Sequence, residues 1–391
     1  MRALDRLAVA CLVAGGGCVA VGLLPRAEAV ATVRRVLPLL VFLAAVIVLA
    51  ELTAKAEVFD VVAARLARAA GGNHLALFLL CVAFAVTTTT FLNLDTTAVL
   101  LTPVMLATAS KTGIPGVCLA MTTVWLANTA SLLLPVSNLT NLLAANRVAL
   151  PPAGFAQRMA LPEVAAVAAT AGCLWAFYWR RGRREHDRYT PPPRHAPSDG
   201  VLFWVAGAAC AAFAACVLAG VPLPLATLLC AGAVALAYRF RAPATLTFAL
   251  LPWRLLVFVT GLFLVVQTIS RKGLGTLVAR AVGAHPGTIG VLHAALTGAV
   301  LSNLVNNLPT YVAGEAAVPL THGTQLLGLL IGTNVAPIIT PWASLATLLW
   351  HERCRTNDLH ISWRTFTLTG IVTALCVLAA ALCGLLATTP S

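Results

Sequence analysis

The first indication of the fold is the segment Phe91-Leu92-Asn93-Leu94-Asp95-Thr96-Thr97-Ala98-Val99-Leu100-Leu101. It places an amide and an acid between two apolar segments that extend over residues 75–109. The same design recurs at residues 287–319, around Ser302-Asn303-Leu304-Val305-Asn306-Asn307. Irregular backbone survives at membrane depth only where it is buried in protein or lines a cavity. We therefore interpret each region as a re-entrant helical hairpin with a polar tip. The alternative is a pair of ordinary short helices joined by a loop.

The composition places most of the chain in a lipid bilayer. Apolar residues make up 60% of the 391 residues and charged residues only 10%, whereas a soluble domain averages about 25% charged residues. The net charge of +13 comes from basic residues between apolar runs, which is typical of membrane-protein loops and not of a nucleic-acid surface. The eleven cysteines form no Cys-x-x-Cys pair, so we expect no zinc or redox site.

Apolar runs near 20 residues predict transmembrane helices. Full spans are predicted at 7–24, 36–54, 114–150, 162–179, 201–219, 223–238, 255–270, 323–350 and 363–387. The first span is expected to stay uncleaved, although Ala27-Glu28-Ala29 resembles a signal-peptidase site, because many spans follow it. Runs 114–150 and 323–350 are too long for one straight helix and contain polar stretches with Pro135 and Pro341. Since proline removes a backbone donor, both helices are predicted to break there.

The order of the predicted elements repeats along the chain. The first series consists of two spans, an amphipathic stretch (55–72), a hairpin, a broken helix and a span. An extra span follows at 201–219, and the same series then recurs with its amphipathic stretch at 271–285. The extra span starts the second copy on the opposite side of the membrane. The predicted fold class is therefore an all-α polytopic membrane protein with two inverted-topology repeats, each with a re-entrant helical hairpin and a discontinuous transmembrane helix. The divisions are a first repeat at 1–179, a basic cytoplasmic linker at 180–200 and a second repeat at 201–391.

The distribution of basic residues predicts the orientation. Six arginines lie in the linker, at positions 180, 181, 183, 184, 188 and 194, and basic residues concentrate on the cytoplasmic side of a membrane. Counting spans from the linker places the N-terminus in the cytoplasm, in a multi-pass protein of the bacterial plasma (inner) membrane. Arg34, Arg35, Arg271 and Lys272 fall on the outer side, against this rule.

Polar side chains at the predicted tips and breaks form the candidate site. Asp95 leads, because an acid inside a membrane is costly and marks function; its structural alternative, compatible with that role, is a helix N-cap. The amides offer donors and acceptors without charge, and their alternative role is hydrogen bonding between helices. The predicted substrate- or ion-binding residues are Asp95, Thr96, Thr97, Asn128, Thr129, Ser137, Asn138, Asn141, Asn303, Asn306, Asn307, Asn334, Thr340 and Ser344. The threonine run at 87–90 is expected to bond back to its own helix.

Four blocks of this sequence resemble the arsenite efflux permeases (arsenical pump membrane proteins), part of an ion transporter superfamily that also holds dicarboxylate/sodium symporters. The blocks are Leu94–Pro103; Ala127–Ser131 with Ser137–Asn141; Asn306–Thr310; and Asn334 with Thr340-Pro341 and Ser344–Trp350. The resemblance covers most of both halves. It implies a midplane site lined by Asp95, Asn128, Ser137, Asn138, Asn306, Asn307, Asn334 and Ser344. It also implies efflux of arsenite or antimonite driven by the proton-motive force, and partnership with a soluble arsenical ATPase.

The chain departs from the pattern of that family at the candidate site. Members often have Asn where Leu94 stands, and Asp where Asn128 and Asn334 stand, so this chain has fewer carboxylates to carry protons. A glycine-rich break is replaced by Trp342-Ala343, which narrows the site. These differences bear on the coupling ion and on the substrate.

The expected function is secondary active export of arsenite or antimonite, coupled to the proton-motive force. The alternative is a sodium- or proton-coupled permease for another inorganic anion or a dicarboxylate. A membrane-embedded enzyme is disfavoured, because His351-Glu352 lacks the second His of a zinc protease and no phosphate-binding loop occurs. We expect no cofactor beyond a coupling ion, H⁺ or Na⁺. The expected partners are the small inorganic solute and the bilayer, with the soluble ATPase and a homodimer as candidates and no nucleic acid.

Overall fold

The computed structural model describes residues 3–180, 188–283 and 287–388, and this part of the chain is helical without any β-strand. Its α-helices are α1 Ala3–Ala20, α2 Arg26–Lys55, α3 Val58–Ala69, α4 His74–Leu92, α5 Leu94–Thr112, α6 Gly116–Thr129, α7 Leu139–Arg147, α8 Pro152–Leu174, α9 Gly200–Leu218, α10 Leu223–Arg241, α11 Trp253–Ile269, α12 Gly275–Val282, α13 Gly287–Leu304, α14 Asn307–Glu315, α15 Gly323–Val335, α16 Leu345–Thr356 and α17 Trp363–Ala387. Within the described residues, seven helical segments are long and apolar enough to cross a membrane. The predicted all-α polytopic class is confirmed.

The helix bounds agree closely with several predicted spans and differ most at the spans predicted at 36–54 and 162–179, since α2 and α8 both begin ten residues earlier than predicted. The helix α17 matches the span 363–387, and α9 differs from 201–219 by one residue at each end. The helix α2 begins at Arg26, ten residues before the predicted start, and Pro38 lies inside it. A proline removes one intrahelical hydrogen bond, a loss that a long packed helix tolerates. Arg34 and Arg35 are therefore helical residues.

Both predicted hairpins are helix pairs, and both long spans are broken. Only Asn93 separates α4 from α5, and a short segment separates α13 from α14. Residues 130–138 interrupt the first long span, with a 3₁₀ turn at Pro135–Ser137, and residues 336–344 interrupt the second. The helix pairs and the proline breaks are confirmed, whereas the inverted orientation of the two repeats stays a prediction.

The chain folds into two compact units. Unit 1 comprises residues 1–58 and 197–277, and unit 2 comprises residues 59–196 and 278–391. Each unit contains helices from both predicted repeats. The packing units therefore do not coincide with the predicted repeats, whose boundaries lie at 179 and 201. Both hairpins and both broken helices belong to unit 2.

In unit 1, α1 packs against α11, and α10 packs against α2 and α9. A Cβ at Gly261 would lie 2.5 Å from the backbone nitrogen of Leu12, so glycine permits this close approach. At the start of α9, Asp199 accepts the Leu202 N–H at 3.1 Å and the Arg241 Nε–H at 2.7 Å. The Arg241 hydrogen bond holds the pKa of Asp199 below its usual range.

In unit 2, the contact between α13 and α15 depends on glycine. A Cβ at Gly332 would lie 2.0 Å from the carbonyl oxygen of Ala295, closer than real Cβ contacts occur.

Part of the predicted linker also belongs to unit 2: Tyr189 is buried, and its hydroxyl donates to the Ala67 carbonyl at 2.6 Å. Five of the seven linker residues between 181 and 187 are charged, and these seven lie outside the described residues.

Candidate functional site

The first hairpin tip is organised by Asn93, which lies between α4 and α5 with φ +80°. Asparagine enters this left-handed region more readily than most residues. Its side-chain oxygen accepts the Thr96 N–H at 2.9 Å, and its carbonyl oxygen accepts the Thr97 hydroxyl at 2.9 Å. The N-cap of α5 is therefore Asn93, and the alternative role considered for Asp95 as the cap is wrong. The predicted back-bonding of the threonine run is confirmed for Thr88 and Thr89.

Asp95 lies in the first turn of α5, where the partial positive charge of a helix N-terminus favours an anion. Its Oδ1 atom is buried and has no hydrogen-bond partner among the described residues. The buried hydroxyl of Thr96 beside it is also without a partner in the described chain. A buried polar atom without a partner is rare in a native protein and marks a place where a ligand, ion or water belongs.

The first break is held by two asparagines. Asn138 caps α7, since its side-chain oxygen accepts the Thr140 N–H at 3.2 Å. Asn141 donates to two carbonyls freed by the break, Ser131 at 2.6 Å and Leu134 at 2.9 Å. These bonds satisfy backbone groups that would otherwise be orphaned in a buried segment.

The first break also contacts the first hairpin tip. The Ser137 hydroxyl donates to the Thr90 carbonyl at 2.8 Å, in the last turn of α4. A change in the position of one of these two elements therefore acts directly on the other.

Several hydrogen bonds join the second hairpin tip to the second break. The Asn303 amide donates to the Ala336 carbonyl at 2.9 Å, and its oxygen accepts the Thr340 N–H at 3.1 Å. The Trp342 indole N–H donates to the Asn303 carbonyl at 2.9 Å, and the Trp342 carbonyl accepts the Asn306 amide at 2.8 Å. The Asn307 N–H donates to the Ala343 carbonyl at 2.8 Å. Trp342 is thus part of the connection.

The two broken helices are hydrogen-bonded to each other at two crossings. At one, the Asn128 amide donates to the Thr347 hydroxyl at 3.4 Å. At the other, Asn334 accepts the Thr140 hydroxyl and donates to the Asn141 oxygen, both at 2.8 Å. Counted from Pro135 and Pro341, Asn128 corresponds to Asn334 and Asn141 to Thr347. Each broken helix therefore uses the same two positions to bind the other.

All fourteen predicted site residues lie in unit 2, and the structure divides them by what they contact. The hydroxyl of Thr129 donates to the Trp125 carbonyl at 2.9 Å and accepts from Thr170 at 2.8 Å, so it stabilises helix packing. Besides Asp95 and Thr96, the side-chain oxygens of Asn128 and Ser344 are buried without partners in the described chain. These four residues lie on or at the start of α5, α6 and α16, which pack against one another. Ligand binding by the fourteen stays a prediction.

The buried polar side chains on and next to the two hairpin tips and the two breaks form what we call the polar core. Sequence reasoning missed several of its residues. Thr140 and Thr347 take part in the hydrogen bonds at the two crossings. The buried hydroxyl of Thr310, in α14, has no hydrogen-bond partner among the described residues. Glu163 of α8 accepts the Leu132 N–H of the first break at 2.9 Å. A lone acid in an apolar span was the available signal for Glu163.

Two helix pairs with polar tips, two mutually bonded broken helices and seven apolar helical segments define a multi-pass membrane transporter. The model of the citrate transporter family matches residues 1–347. The chain belongs to this family.

Comparison with known proteins confirms the resemblance that the sequence blocks indicated. The chain is 29% identical over 359 residues to an arsenical pump membrane protein of Yersinia enterocolitica, covering 85% of this chain and 82% of that protein. A protein of the same name from Escherichia coli is 29% identical over 357 residues, with the same coverage. A putative arsenical pump membrane protein of Bacillus subtilis (strain 168) is 25% identical over 353 residues, covering 80% of this chain and 78% of that protein.

The fold resembles a solved transporter structure. The YdaH transporter of Alcanivorax borkumensis, described as having an unusual topology, matches with a TM-score of 0.51 and 16% identity. The match covers 92% of this chain and 87% of that one. At this identity the likeness concerns the fold alone.

Proposed function

We propose that this transporter exports arsenite or antimonite across the plasma membrane and couples export to the proton-motive force. The observation that carries the proposal is the chemistry of the polar core. It offers amide and hydroxyl groups together with the carboxyl group of Asp95, whose buried Oδ1 atom has no hydrogen-bond partner among the described residues. Arsenous acid, As(OH)₃, is neutral near pH 7 and has three hydroxyls that donate and accept hydrogen bonds, so it suits such a core.

The mechanism assigns separate tasks to the amides and to the acid. The unpartnered oxygens of Asn128, Ser344 and Thr96 accept or exchange hydrogen bonds with the solute. Asp95 binds or releases the coupling proton as the two broken helices move. The hydrogen bond from Ser137 to the end of α4 transmits that movement to the tip that holds Asp95.

A dicarboxylate or another anion is the second candidate, because the family model is described as a citrate transporter. An organic carboxylate requires positive groups. The hydrogen bonds at the tips and breaks described above involve amides, hydroxyls, an indole, backbone groups and the Glu163 carboxyl group, and none of these is positively charged. The N-termini of α5 and α16 would then have to supply the positive potential.

Partners beyond the solute and the bilayer remain part of the proposal. Resemblance to the arsenical pump membrane proteins suggests a soluble arsenical ATPase, and a homodimer is a further candidate arrangement. Added ATPase would raise arsenite accumulation in vesicles that contain ATP.

The first experiment measures arsenite accumulation in everted membrane vesicles by mass spectrometry, with and without a pH gradient. Native protein is compared with Asp95→Asn and with the control Asp358→Asn. Asp358 is exposed and has φ +56°, a conformation that asparagine accepts. We expect gradient-driven accumulation by the native protein and by the control, and its loss in Asp95→Asn.

Two results would contradict the proposal. A native protein that is inserted but accumulates no arsenite excludes arsenite export, and citrate uptake in the same vesicles then tests the second candidate. Full accumulation by Asp95→Asn excludes Asp95 as the proton carrier.

A further inference from the structure

Glu163 is a buried acid outside the hairpins and the broken helices. It lies in α8 and is 4% exposed. Its Oε2 accepts the N–H of Leu132 at 2.9 Å, and its buried Oε1 has no hydrogen-bond partner among the described residues. Leu132 belongs to the irregular segment between α6 and α7. An acid on a neighbouring helix therefore binds the backbone of the first break in addition to Asn138 and Asn141.

The second break shows that such a segment can be held without an acid. Ile338 lies three residues before Pro341, as Leu132 lies three before Pro135. The Ile338 N–H donates to the backbone carbonyl of Ala336 at 2.7 Å. Gly370 of α17 lies so close that a Cβ there would come within 2.2 Å of the Ile338 carbonyl oxygen. Holding such a break in place therefore does not require an ionisable group, and the presence of Glu163 at the first break needs another explanation.

We propose that Glu163 is a second proton-exchanging residue of this transporter, in addition to Asp95. A buried carboxylate with one donor is costly, and the cost depends strongly on whether that donor is present. Movement of the first break changes the contact with the Leu132 N–H and so changes the proton affinity of Glu163. This inference rests on the proposed proton-coupled function. The proton passes between the carboxyl group and water, and arsenous acid crosses unchanged.

The elements packed around Glu163 contribute no competing acid. The helix α8 packs against α6, α17, the helical turn Trp175–Trp179 and the 3₁₀ turn Pro135–Ser137. Their titratable or charged residues, with those of α8 itself, are Cys118, Tyr178, Arg158, Cys173, Arg364, Cys376 and Cys383. Arg158 is bonded to the Thr388 carbonyl at 2.6 Å. Gly384, near the end of α17, lies against Leu161 and Pro162, so Arg364 is about 30 Å away along that helix.

The test measures arsenite exchange and proton-coupled accumulation separately. It uses proteoliposomes that contain native protein, Glu163→Gln or Thr170→Val. Glutamine keeps an oxygen for the Leu132 N–H but cannot exchange a proton. Thr170 lies two helical turns after Glu163 and bonds Thr129 of α6 at 2.8 Å, so its substitution controls for lost packing on the same face. We expect Glu163→Gln to keep arsenite exchange at equal pH within about twofold and to lose gradient-driven accumulation by at least about tenfold. Thr170→Val keeps both activities.

Infrared spectroscopy gives a readout that does not require transport. A pH-dependent band of a protonated carboxyl group, present in the native protein and absent in Glu163→Gln, is expected. Native-like accumulation by Glu163→Gln, or an unchanged band in that variant, overturns the inference. If the native protein exchanges no arsenite, the proposed function fails, and the infrared comparison still decides whether Glu163 exchanges a proton.

A second variant covers the case in which Glu163→Gln does not fold, as judged by gel filtration. Glu163→Asp keeps the acid but moves it away from the Leu132 N–H. We expect it to shift the pH at which accumulation is half-maximal, and an unshifted profile counts against the inference.

Discussion

The resemblance to the arsenite efflux permeases implies acids at two positions of the polar core where this chain has the amides Asn128 and Asn334. Both polar atoms of the Asn334 amide are bonded: its oxygen accepts from Thr140, and its nitrogen donates to Asn141. An ionised aspartate could accept the first bond but could not donate the second. Asparagine at this position therefore fixes the crossing without any charge.

The variant Asn334→Ala tests how much this crossing contributes. It leaves the buried oxygen of Asn141 and the hydroxyl of Thr140 without a partner, at a cost of about 1–3 kcal/mol for each group. We expect a lower Tm in detergent and weaker arsenite exchange. Asn146→Ala is the matched control, because Asn146 is exposed on α7, and it should leave the Tm unchanged. Equal Tm values for the two variants would show that the crossing does not stabilise the fold.

Among the elements, the contact between α13 and α15 is the most constrained by a single residue. The backbone of Gly332 lies against that of Ala295, with no room for a side chain. The helix α13 leads into the second tip and α15 into the second break, so this contact sets the distance between two parts of the site.

Gly332→Ala is expected to separate α13 from α15 and to destabilise unit 2 by at least about 1–3 kcal/mol, as overpacking does. Gly172→Ala is the control, because a Cβ at Gly172 of α8 meets no atom within 4 Å. Alanine there should leave the Tm unchanged or raise it slightly, since alanine favours helix more than glycine does. Thermal unfolding of both variants by tryptophan fluorescence measures the difference. A Gly332→Ala variant as stable as the control would refute the close approach.

The elements were largely predictable from the sequence, since hydropathy and proline act locally. Pro135 and Pro341 interrupt long apolar runs, and both helices break there. The predicted start of α2 at residue 36 was wrong. In the sequence, Pro38, which lies inside the helix, cannot be told from a proline that marks a helix boundary. Asn93 and Asp95 were both visible at the tip, but choosing the cap between them requires the backbone angle of Asn93. Glu163 was missed because its partner lies 31 residues away along the chain.

In unit 1, the long helix α2 separates two polar contacts, one near each of its ends. Its 30 residues span about 45 Å at about 1.5 Å per residue, longer than the hydrocarbon core of about 30 Å. Arg271 pairs with Glu28 in the first turn of α2. The side chain of Glu57, just after the end of α2, accepts a hydrogen bond from Ser198. These two contacts are therefore expected on opposite sides of the membrane.

Labelling with a membrane-impermeant thiol reagent tests this arrangement and the predicted orientation. Ala27→Cys and Ser198→Cys, both at exposed positions, are made in a protein whose native cysteines are replaced by alanine. We expect Ala27→Cys to react in intact cells and Ser198→Cys only in everted vesicles. The reverse pattern would invert the orientation, and labelling of both from one side would exclude α2 as a membrane-crossing helix.

The crossings of the two broken helices have a consequence for electrical behaviour. Their side chains are asparagines and threonines, which carry no net charge wherever the helices move. A charge moved through the membrane potential gains or loses about 2.3 kcal/mol per 100 mV, and uncharged amides escape that force. The crossings themselves therefore add no voltage dependence to the return of the empty carrier. Such a dependence comes from ionisable side chains, among them Asp95, Glu163 and Glu315, each of which has a buried carboxyl oxygen without a partner in the described chain.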